Sequence, residues 1–206
     1  KKEQLYKTST IQKRTVRLAY PAGRGKIVLR TEDDWDKDIE PVSISEDGNT
    51  STFELEANKP FLYFKPCLID DKGEYHWSIG ANKLLLMEEK DQRISYPFFF
   101  GSEKGRYSKL IEFPSKILNR THALRVYLPP GYDENTLATY AVAFMQDGQN
   151  MFFPEEAFMG QTWEVDSTSQ TLGAMGAVED FVIVGIRPGD RMKEYTSPGY
   201  EDYARS

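Results

Sequence analysis

The chain has 206 residues, of which 13% are aromatic, a composition typical of a folded protein with a sizeable hydrophobic core. Its net charge of -6 and pI of about 5.1 argue against a nucleic-acid partner, because phosphate binding requires a positively charged surface. No apolar run approaches the roughly 20 residues that cross a bilayer, so we expect a soluble protein without a membrane span and favour the cytoplasm over the periplasm or secretion.

The first part of the chain is a series of short strand patterns separated by turns rich in glycine and aspartate. After a polar leading arm over residues 1–14, apolar and polar residues alternate in segments such as Val16–Tyr20 and Thr50–Glu56. Residues 33–36 read as a loop, and Cys67, the only cysteine, lies in an apolar segment as a buried thiol without a disulfide partner. The spacing predicts an antiparallel, immunoglobulin-like β-sandwich over residues 15–89.

Residues 90–107 carry a charge run and the apolar sequence Tyr96–Phe100, and we interpret them as a linker between two domains. Ser108–Pro114 and Leu124–Leu128 then predict two strands that pair as an edge hairpin. Two prolines follow the second strand and end it, because neither can donate a ladder hydrogen bond.

The segment Tyr140–Phe153 organises the last part of the chain. Its first half is an apolar run at 141–145, typical of a strand buried on both faces, and Phe181–Ile186 is a second such run. Gln161–Met175 between them has helical spacing, so the pattern predicts a strand–helix–strand unit in a mainly parallel sheet. Ligands bind at the carboxyl ends of such strands, which places the polar turn from Gln146 to Asn150 at the mouth of a site.

Four motifs in this region, in the right order, resemble the front half of the putative esterase family. The family consists of α/β-hydrolases and includes enterochelin esterases, esterase D and feruloyl esterases. The motifs are Leu124–Tyr132, Met145–Phe152, Val184–Ile186 and Arg191–Thr196. The resemblance implies an incomplete α/β-hydrolase domain over residues 108–206, a carboxylic ester hydrolase activity, and no metal or organic cofactor. The family usually has histidine where this chain has Gln146.

The resemblance also implies a set of site residues. The turn matches the loop that donates backbone N–H groups to the oxyanion of acyl transfer, so its residues are the candidate catalytic group: Asp147, Gly148, Gln149 and Asn150. Arg191, Glu194 and Tyr195 match the segment that lines the pocket rim. Without the resemblance, an ordinary strand-end turn capped by Asp147 and an exposed ion pair remain the simpler interpretations.

The catalytic serine of this fold lies in a Gly-x-Ser-x-Gly sequence, followed by an acidic residue and a histidine. The 206 residues contain no such sequence, His76 lies in the predicted sandwich, and His122 precedes the first esterase motif. We therefore predict the amino-terminal portion of a longer serine carboxylesterase that is inactive by itself. The ester could belong to a siderophore, to a feruloyl or acetyl group on a polysaccharide, or to a small thiol ester.

The first domain resembles carbohydrate-binding modules of the starch-binding type. Asp34–Asp36, Tyr63–Lys65 and His76–Lys83 match the motifs of that family, with Ser78 where it often has glutamate. The resemblance implies a sugar-binding face made by Trp35, Lys65, Trp77 and Asn82, because sugar rings stack on flat aromatic side chains. Two alternatives to an esterase remain: a non-catalytic glucan-binding protein, and a protein-interaction module in which the sandwich holds two chains together as a homodimer. In such docking modules Trp35 and Trp77 would lie in the core of the sandwich.

Overall fold

The computed structural model describes residues 10–88 and 94–196, which fold mainly into strands arranged in antiparallel and mixed sheets. The elements are β1 (Gln12–Ala19), β2 (Lys26–Thr31), β3 (Asp34–Ile39), β4 (Ser43–Ile44), β5 (Thr50–Ala57), β6 (Phe61–Ile69), β7 (Tyr75–Trp77), β8 (Lys83–Leu86), β9 (Ile94–Ser95), β10 (Arg106–Tyr107), β11 (Ile111–Ser115), β12 (Arg120–Leu128), β13 (Ala141–Met145), α1 (Val165–Ala174), β14 (Phe181–Arg187) and α2 (Arg191–Tyr195). None of the helices in these ranges is long and apolar enough to cross a membrane.

The chain divides into two compact units. The first unit comprises Lys1–Glu103 and Gly131–Thr139, and the second comprises Lys104–Pro130 and Tyr140–Ser206. The chain therefore passes from one unit to the other three times, and a short segment after β12 belongs to the first unit.

Two sheets make up the first unit and share one hydrophobic core. One sheet has the order β4-β5-β1-β9, and the other has the order β3-β2-β6-β7 with β8 also paired to β6. The core contains Leu18 and Phe53 from the first sheet and Leu29 and Leu68 from the second, all fully buried. Alternation along each strand explains this arrangement, since every second side chain points to the same face.

β1 begins at Gln12, inside the stretch predicted as a leading arm. It pairs antiparallel with β5 from Gln12 opposite Ala57 to Ala19 opposite Thr50. Lys13 contacts Glu54 at 3.0 Å and Glu56 at 2.5 Å on the exposed face of β5. Residues 12–14 of that stretch therefore belong to a strand with Lys13 on its solvent face, and residues 1–9 of the predicted arm lie outside the described residues.

Residues 34–39 form strand β3, which corrects the prediction of a loop at 33–36. The Arg30 guanidinium on β2 donates from Nε to Asp38 at 2.7 Å and from Nη1 to the Trp35 carbonyl at 3.0 Å. These bonds hold an acidic sequence of low strand propensity beside β2, so tertiary contacts override the local preference.

The segment Gly131–Thr139 is part of the first unit. Asn135, only 1% exposed, donates from Nδ2 to the carbonyls of Ala19 and Pro97, both at 2.8 Å. Glu134 accepts hydrogen bonds from the amides of Phe99 and Phe100. Residues predicted as a linker thus contact the first unit, and β9 also pairs with β1.

The second unit contains one mixed sheet with the order β10-β12-β14-β13, and β11 also pairs with β12. β13 and β14 are parallel, from Ala141 opposite Phe181 to Met145 opposite Gly185, and α1 lies between them in the chain. The predicted parallel pair and the hairpin of β11 and β12 are confirmed. The other pairings of the described sheet are antiparallel, so the sheet is not mainly parallel.

β13 is more exposed than its apolar sequence predicted. Phe144 is 71% and Val142 49% exposed, whereas residues 182–185 of β14 are buried. Among the described strands β13 pairs with β14 alone and stands at the sheet edge. An apolar run without alternation therefore does not by itself establish burial on both faces.

The second unit has its own small core of Tyr127, Met151, Phe152 and Ile183. Tyr127 is 1% exposed, and this burial raises the pKa of its hydroxyl to about 12. Met151 and Phe152 follow the turn after β13 directly, so the core fixes that turn against β14.

We expect the Asn135→Ala substitution to destabilise the first unit by about 2 kcal/mol, because it leaves two buried carbonyls without a donor. Urea unfolding followed by tryptophan fluorescence measures the change. The control is Thr136→Ala at the exposed neighbouring residue. Equal unfolding midpoints for the two variants would show that the segment is not part of the first unit's fold.

Candidate functional site

The turn after β13 is short and sharply bent. Asp147 adopts the left-handed conformation, with φ 55° and ψ 41°, and Gly148–Asn150 form a single 3₁₀ turn. The Asn150 amide donates to the Asp147 carbonyl at 2.9 Å and closes the turn. Aspartate tolerates the left-handed region better than most residues, which allows the chain to reverse there.

Gly148 packs directly on the backbone of β14. A Cβ atom at this position would lie 2.5 Å from the carbonyl carbon of Gly185 and 2.7 Å from the nitrogen of Ile186. This close packing requires glycine at position 148, because the Cβ atom of any other residue would overlap the backbone of β14. Because Met145 is paired with Gly185, the turn lies at the carboxyl ends of both parallel strands.

The turn presents unused backbone donors. Across residues 10–88 and 94–196, neither the N–H of Gly148 nor that of Gln149 has a hydrogen-bond acceptor. The first N–H groups of a helical turn have no acceptor within the turn, so a ligand or water can bind them. These two N–H groups are the candidate oxyanion donors.

Asn150 holds the turn in place and does not offer its side chain to a ligand. It is 8% exposed, and its Oδ1 accepts from the amide of Phe158 at 2.9 Å. Its carbonyl accepts from the amide of Trp163 at 2.8 Å. Asn150 thus connects the turn to the loop that leads into α1.

Helix α2 packs on the turn through two of its three predicted rim residues. Arg191 Nη1 lies 3.0 Å from Asp147 Oδ1, and the Tyr195 hydroxyl donates to Gln146 Oε1 at 2.9 Å. Glu194 instead accepts from the amide of Gly189 at 2.9 Å and is paired with Arg120. The Asp147 side chain forms no capping hydrogen bond to the turn that it begins.

Sequence reasoning missed three charged residues beside the turn. Glu156 accepts from Arg125 on β12 and lies 4.0 Å from Arg187, the last residue of β14. Arg125 belongs to the first esterase motif, but its role there depends on a partner 31 residues away in the chain. Only the strand register of β12 and β14 could have indicated this group.

In the first unit, the predicted sugar-binding tryptophans lie together on the outer face of the second sheet. The ring centroids of Trp35 and Trp77 are 6.3 Å apart, with 70° between the ring planes. Trp77 is 39% exposed, which is not the burial of a core residue, whereas Cys67 opposite it is fully buried as predicted. Lys65 donates from Nζ to the carbonyl of Gly80 at 2.8 Å, and Asn82 is exposed.

Arg30 and Tyr75 complete this face and were not predicted. The Arg30 guanidinium carbon lies 4.8 Å from the centroid of the Tyr75 ring and 5.3 Å from that of Trp77. Burial alone would raise the pKa of Asp38, but hydrogen bonds from Arg30 and Tyr75 lower it, so the carboxylate stays charged. The face is therefore a fixed layer of aromatic rings around a paired cation.

One group of side chains in the first unit has metal-ligating chemistry. The ligand atoms of Asp70 and Glu74, on the turn between β6 and β7, and of His76 on β7 lie within 4.8 Å of one another. His76 Nε2 is 3.0 Å from Asp70 Oδ2, and the imidazole packs on the Phe100 ring. His76 and Asp70 therefore contact each other as a pair within the chain.

One family model matches the last part of the chain. Residues 115–206 match the model of the family described as Putative esterase. The resemblance of this part of the chain to the putative esterase family is therefore confirmed. No curated protein matches the chain.

Two solved structures show a partial likeness. A ferulic acid esterase is 25% identical over 40% of this chain and 31% of its own, with a TM-score of 0.32. A glycoside hydrolase family 15 glucoamylase from Hypocrea jecorina is 10% identical over 44% of this chain and 18% of its own, with a TM-score of 0.36. The chain thus spans less than a third of the length of either structure.

We expect Gly148→Ala to destabilise the second unit by about 3 kcal/mol, because the added methyl overlaps the backbone of β14. Gly176→Ala is the matched control, since φ is +69° there but no atom lies within 4 Å of the new methyl. It should cost only about 1 kcal/mol. Chemical denaturation measures both changes, and a smaller loss at Gly148 than at Gly176 would contradict the close packing.

Proposed function

We propose that the chain is the amino-terminal portion of a serine carboxylesterase, in which an immunoglobulin-like β-sandwich precedes an α/β-hydrolase domain. The observation that carries the proposal is the pair of unused N–H groups at Gly148 and Gln149, at the carboxyl ends of two parallel strands. The match of residues 115–206 to an esterase family supports it.

The chemistry of ester hydrolysis explains the need for such donors. Attack on an ester carbonyl moves negative charge onto its oxygen, and donors that are already fixed stabilise that charge without reorganising. In α/β-hydrolases one donor comes from the residue after the nucleophile and the other from the loop after the third strand. The turn after β13 supplies the second kind of donor.

The neighbouring residues fix the donors. Glycine at 148 lets the turn lie on β14, and Asn150 and the Arg191–Asp147 ion pair hold its two ends. The attacking serine, its histidine base and the acidic residue belong to sequence that is not among these 206 residues. Residues 1–206 are therefore inactive by themselves, and the substrate is a feruloyl, acetyl, siderophore or similar ester.

The test removes one N–H and keeps the turn. Gln149→Pro deletes the amide hydrogen, and proline has the φ of a 3₁₀ turn, while Gln149→Ala keeps the hydrogen. In the protein translated from the intact reading frame, we expect Gln149→Pro to lower kcat for p-nitrophenyl acetate about 100-fold, and Gln149→Ala to stay near wild type. Equal rates for both variants, or equal activity of residues 1–206 and the intact protein, would refute the proposal.

A second candidate function is binding of a glucan by the first unit, favoured by the exposed Trp77 beside Trp35. Sugar rings stack on such aromatic faces. The experiment uses the whole chain, because Gly131–Thr139 belongs to the first unit.

We expect soluble starch to bind the chain, and Trp77→Ala to weaken binding at least about tenfold by loss of stacking. Affinity electrophoresis in starch gels measures this. Trp163→Ala, which removes an exposed tryptophan of the second unit, is the control. Migration that starch does not retard would exclude this candidate.

A further inference from the structure

Three charged side chains, Arg125, Glu156 and Arg187, lie on the same face of the sheet as the turn after β13. Along β14, Ile183 packs with Met151 in the core and Gly185 lies against Gly148. Side chains alternate along a strand, so Arg187, two residues further, starts on that face as well. Gly148 contacts the two residues that immediately precede Arg187.

Arg125 on the neighbouring strand has partners for both terminal nitrogens of its guanidinium, although its buried Nε has none. It stands opposite Gly185 in the register of β12 and β14, and it forms an ion pair with Glu156. Its Nη1 also donates to the Ser108 carbonyl at 3.0 Å, and its guanidinium lies over the Phe153 ring. Glu156 is therefore already neutralised by one arginine.

Arg187 lacks a comparable partner. Its Nη1 is 4.0 Å from Glu156 Oε2, and within the described ranges this is the only polar contact of its side chain. The side chain is only 28% exposed, and a guanidinium does not lose its proton. Two cations thus share one carboxylate in a partly desolvated place, which favours a second anion.

The position of Arg187 differs from that of Arg191 on the other side of the turn. Arg191 contacts Asp147 at 3.0 Å, so its charge is matched within the chain. Arg187 is the last residue of β14, at the strand end where the turn presents its two N–H groups. Arg187 is thus one residue beyond the segment of β14 that Gly148 contacts.

We propose that Arg187 binds a free carboxylate on the substrate, so that the preferred esters are monoesters of dicarboxylic acids or other esters that carry a carboxylate. The planar guanidinium fork fits a carboxylate through two parallel hydrogen bonds. This inference rests on the proposed esterase function, because it assigns the class of ester to the same site.

The test measures binding, not hydrolysis, and uses residues 1–206. Monoethyl succinate carries an ester and a carboxylate, and ethyl butyrate has a methyl group in place of that carboxylate. Amide chemical shifts give the dissociation constant of each ester. We expect monoethyl succinate to bind about tenfold more tightly, the gain of a charge-assisted hydrogen bond.

Three substitutions test whether Arg187 causes the preference for monoethyl succinate. Arg187→Gln should remove the preference for monoethyl succinate, Arg187→Lys should keep part of it, and Lys116→Gln, at an exposed lysine of the second unit, should keep all of it. An unchanged preference in Arg187→Gln would overturn the inference. Inorganic phosphate that binds the wild type as tightly as monoethyl succinate would also overturn it, because the site would then be a general anion site.

The same spectra separate this inference from the proposed function. Both esters should shift the amide signals of Gly148 and Gln149, since the ester carbonyl binds there whatever the acid chain carries. Shifts of these signals without a preference for the carboxylate would refute only the role of Arg187. An absence of such shifts with both esters would refute the oxyanion site, even if Arg187 bound succinate.

Discussion

The close backbone approach between Gly148 and Gly185 is the constraint on which the candidate site depends. A methyl group at either position would meet the opposing segment, at 2.5 Å for Gly148 and at 3.0 Å for Gly185. The parallel pairing of Met145 with Gly185 brings the two segments together, and the buried Met151 and Phe152 keep them there. The N–H groups of the turn are thereby fixed by backbone packing, which is the preorganisation that electrostatic catalysis requires.

Three carboxylates around this turn each have an arginine partner. Asp147 is matched by Arg191, Glu194 by Arg120, and Glu156 by Arg125. Each pair ties a different element to the sheet edge. Arg187, which directly follows the two residues that Gly148 contacts, has one long contact of 4.0 Å to Glu156.

Local patterns predicted the strands and the turn, because both depend on nearby residues. Residues 182–185 of the run Phe181–Ile186 are buried as its composition indicates, and Asp147 and Gly148 begin the turn where polar residues follow an apolar strand. The parallel pair of β13 and β14 followed from the helix-length segment between them.

Features that depend on distant residues could not be predicted. The side chain of Asn135 is buried against partners 38 and 116 residues away in the chain. The residues next to it in the sequence are polar and resemble an ordinary loop. Strand β3 needs Arg30, the exposure of β13 depends on its edge position, and the Arg187 group needs the register of β12 and β14. Tertiary contacts decided each of these against local sequence preference.

The most direct measurement is a crystal structure of the protein translated from its intact reading frame after inactivation by a p-nitrophenyl phosphonate. The phosphonyl oxygen stands in for the oxyanion of the tetrahedral intermediate. The account predicts that this oxygen lies about 2.7–3.1 Å from the nitrogen of Gln149 or Gly148. A phosphonyl oxygen that points away from the turn, with both amides bound to protein or water, would contradict it.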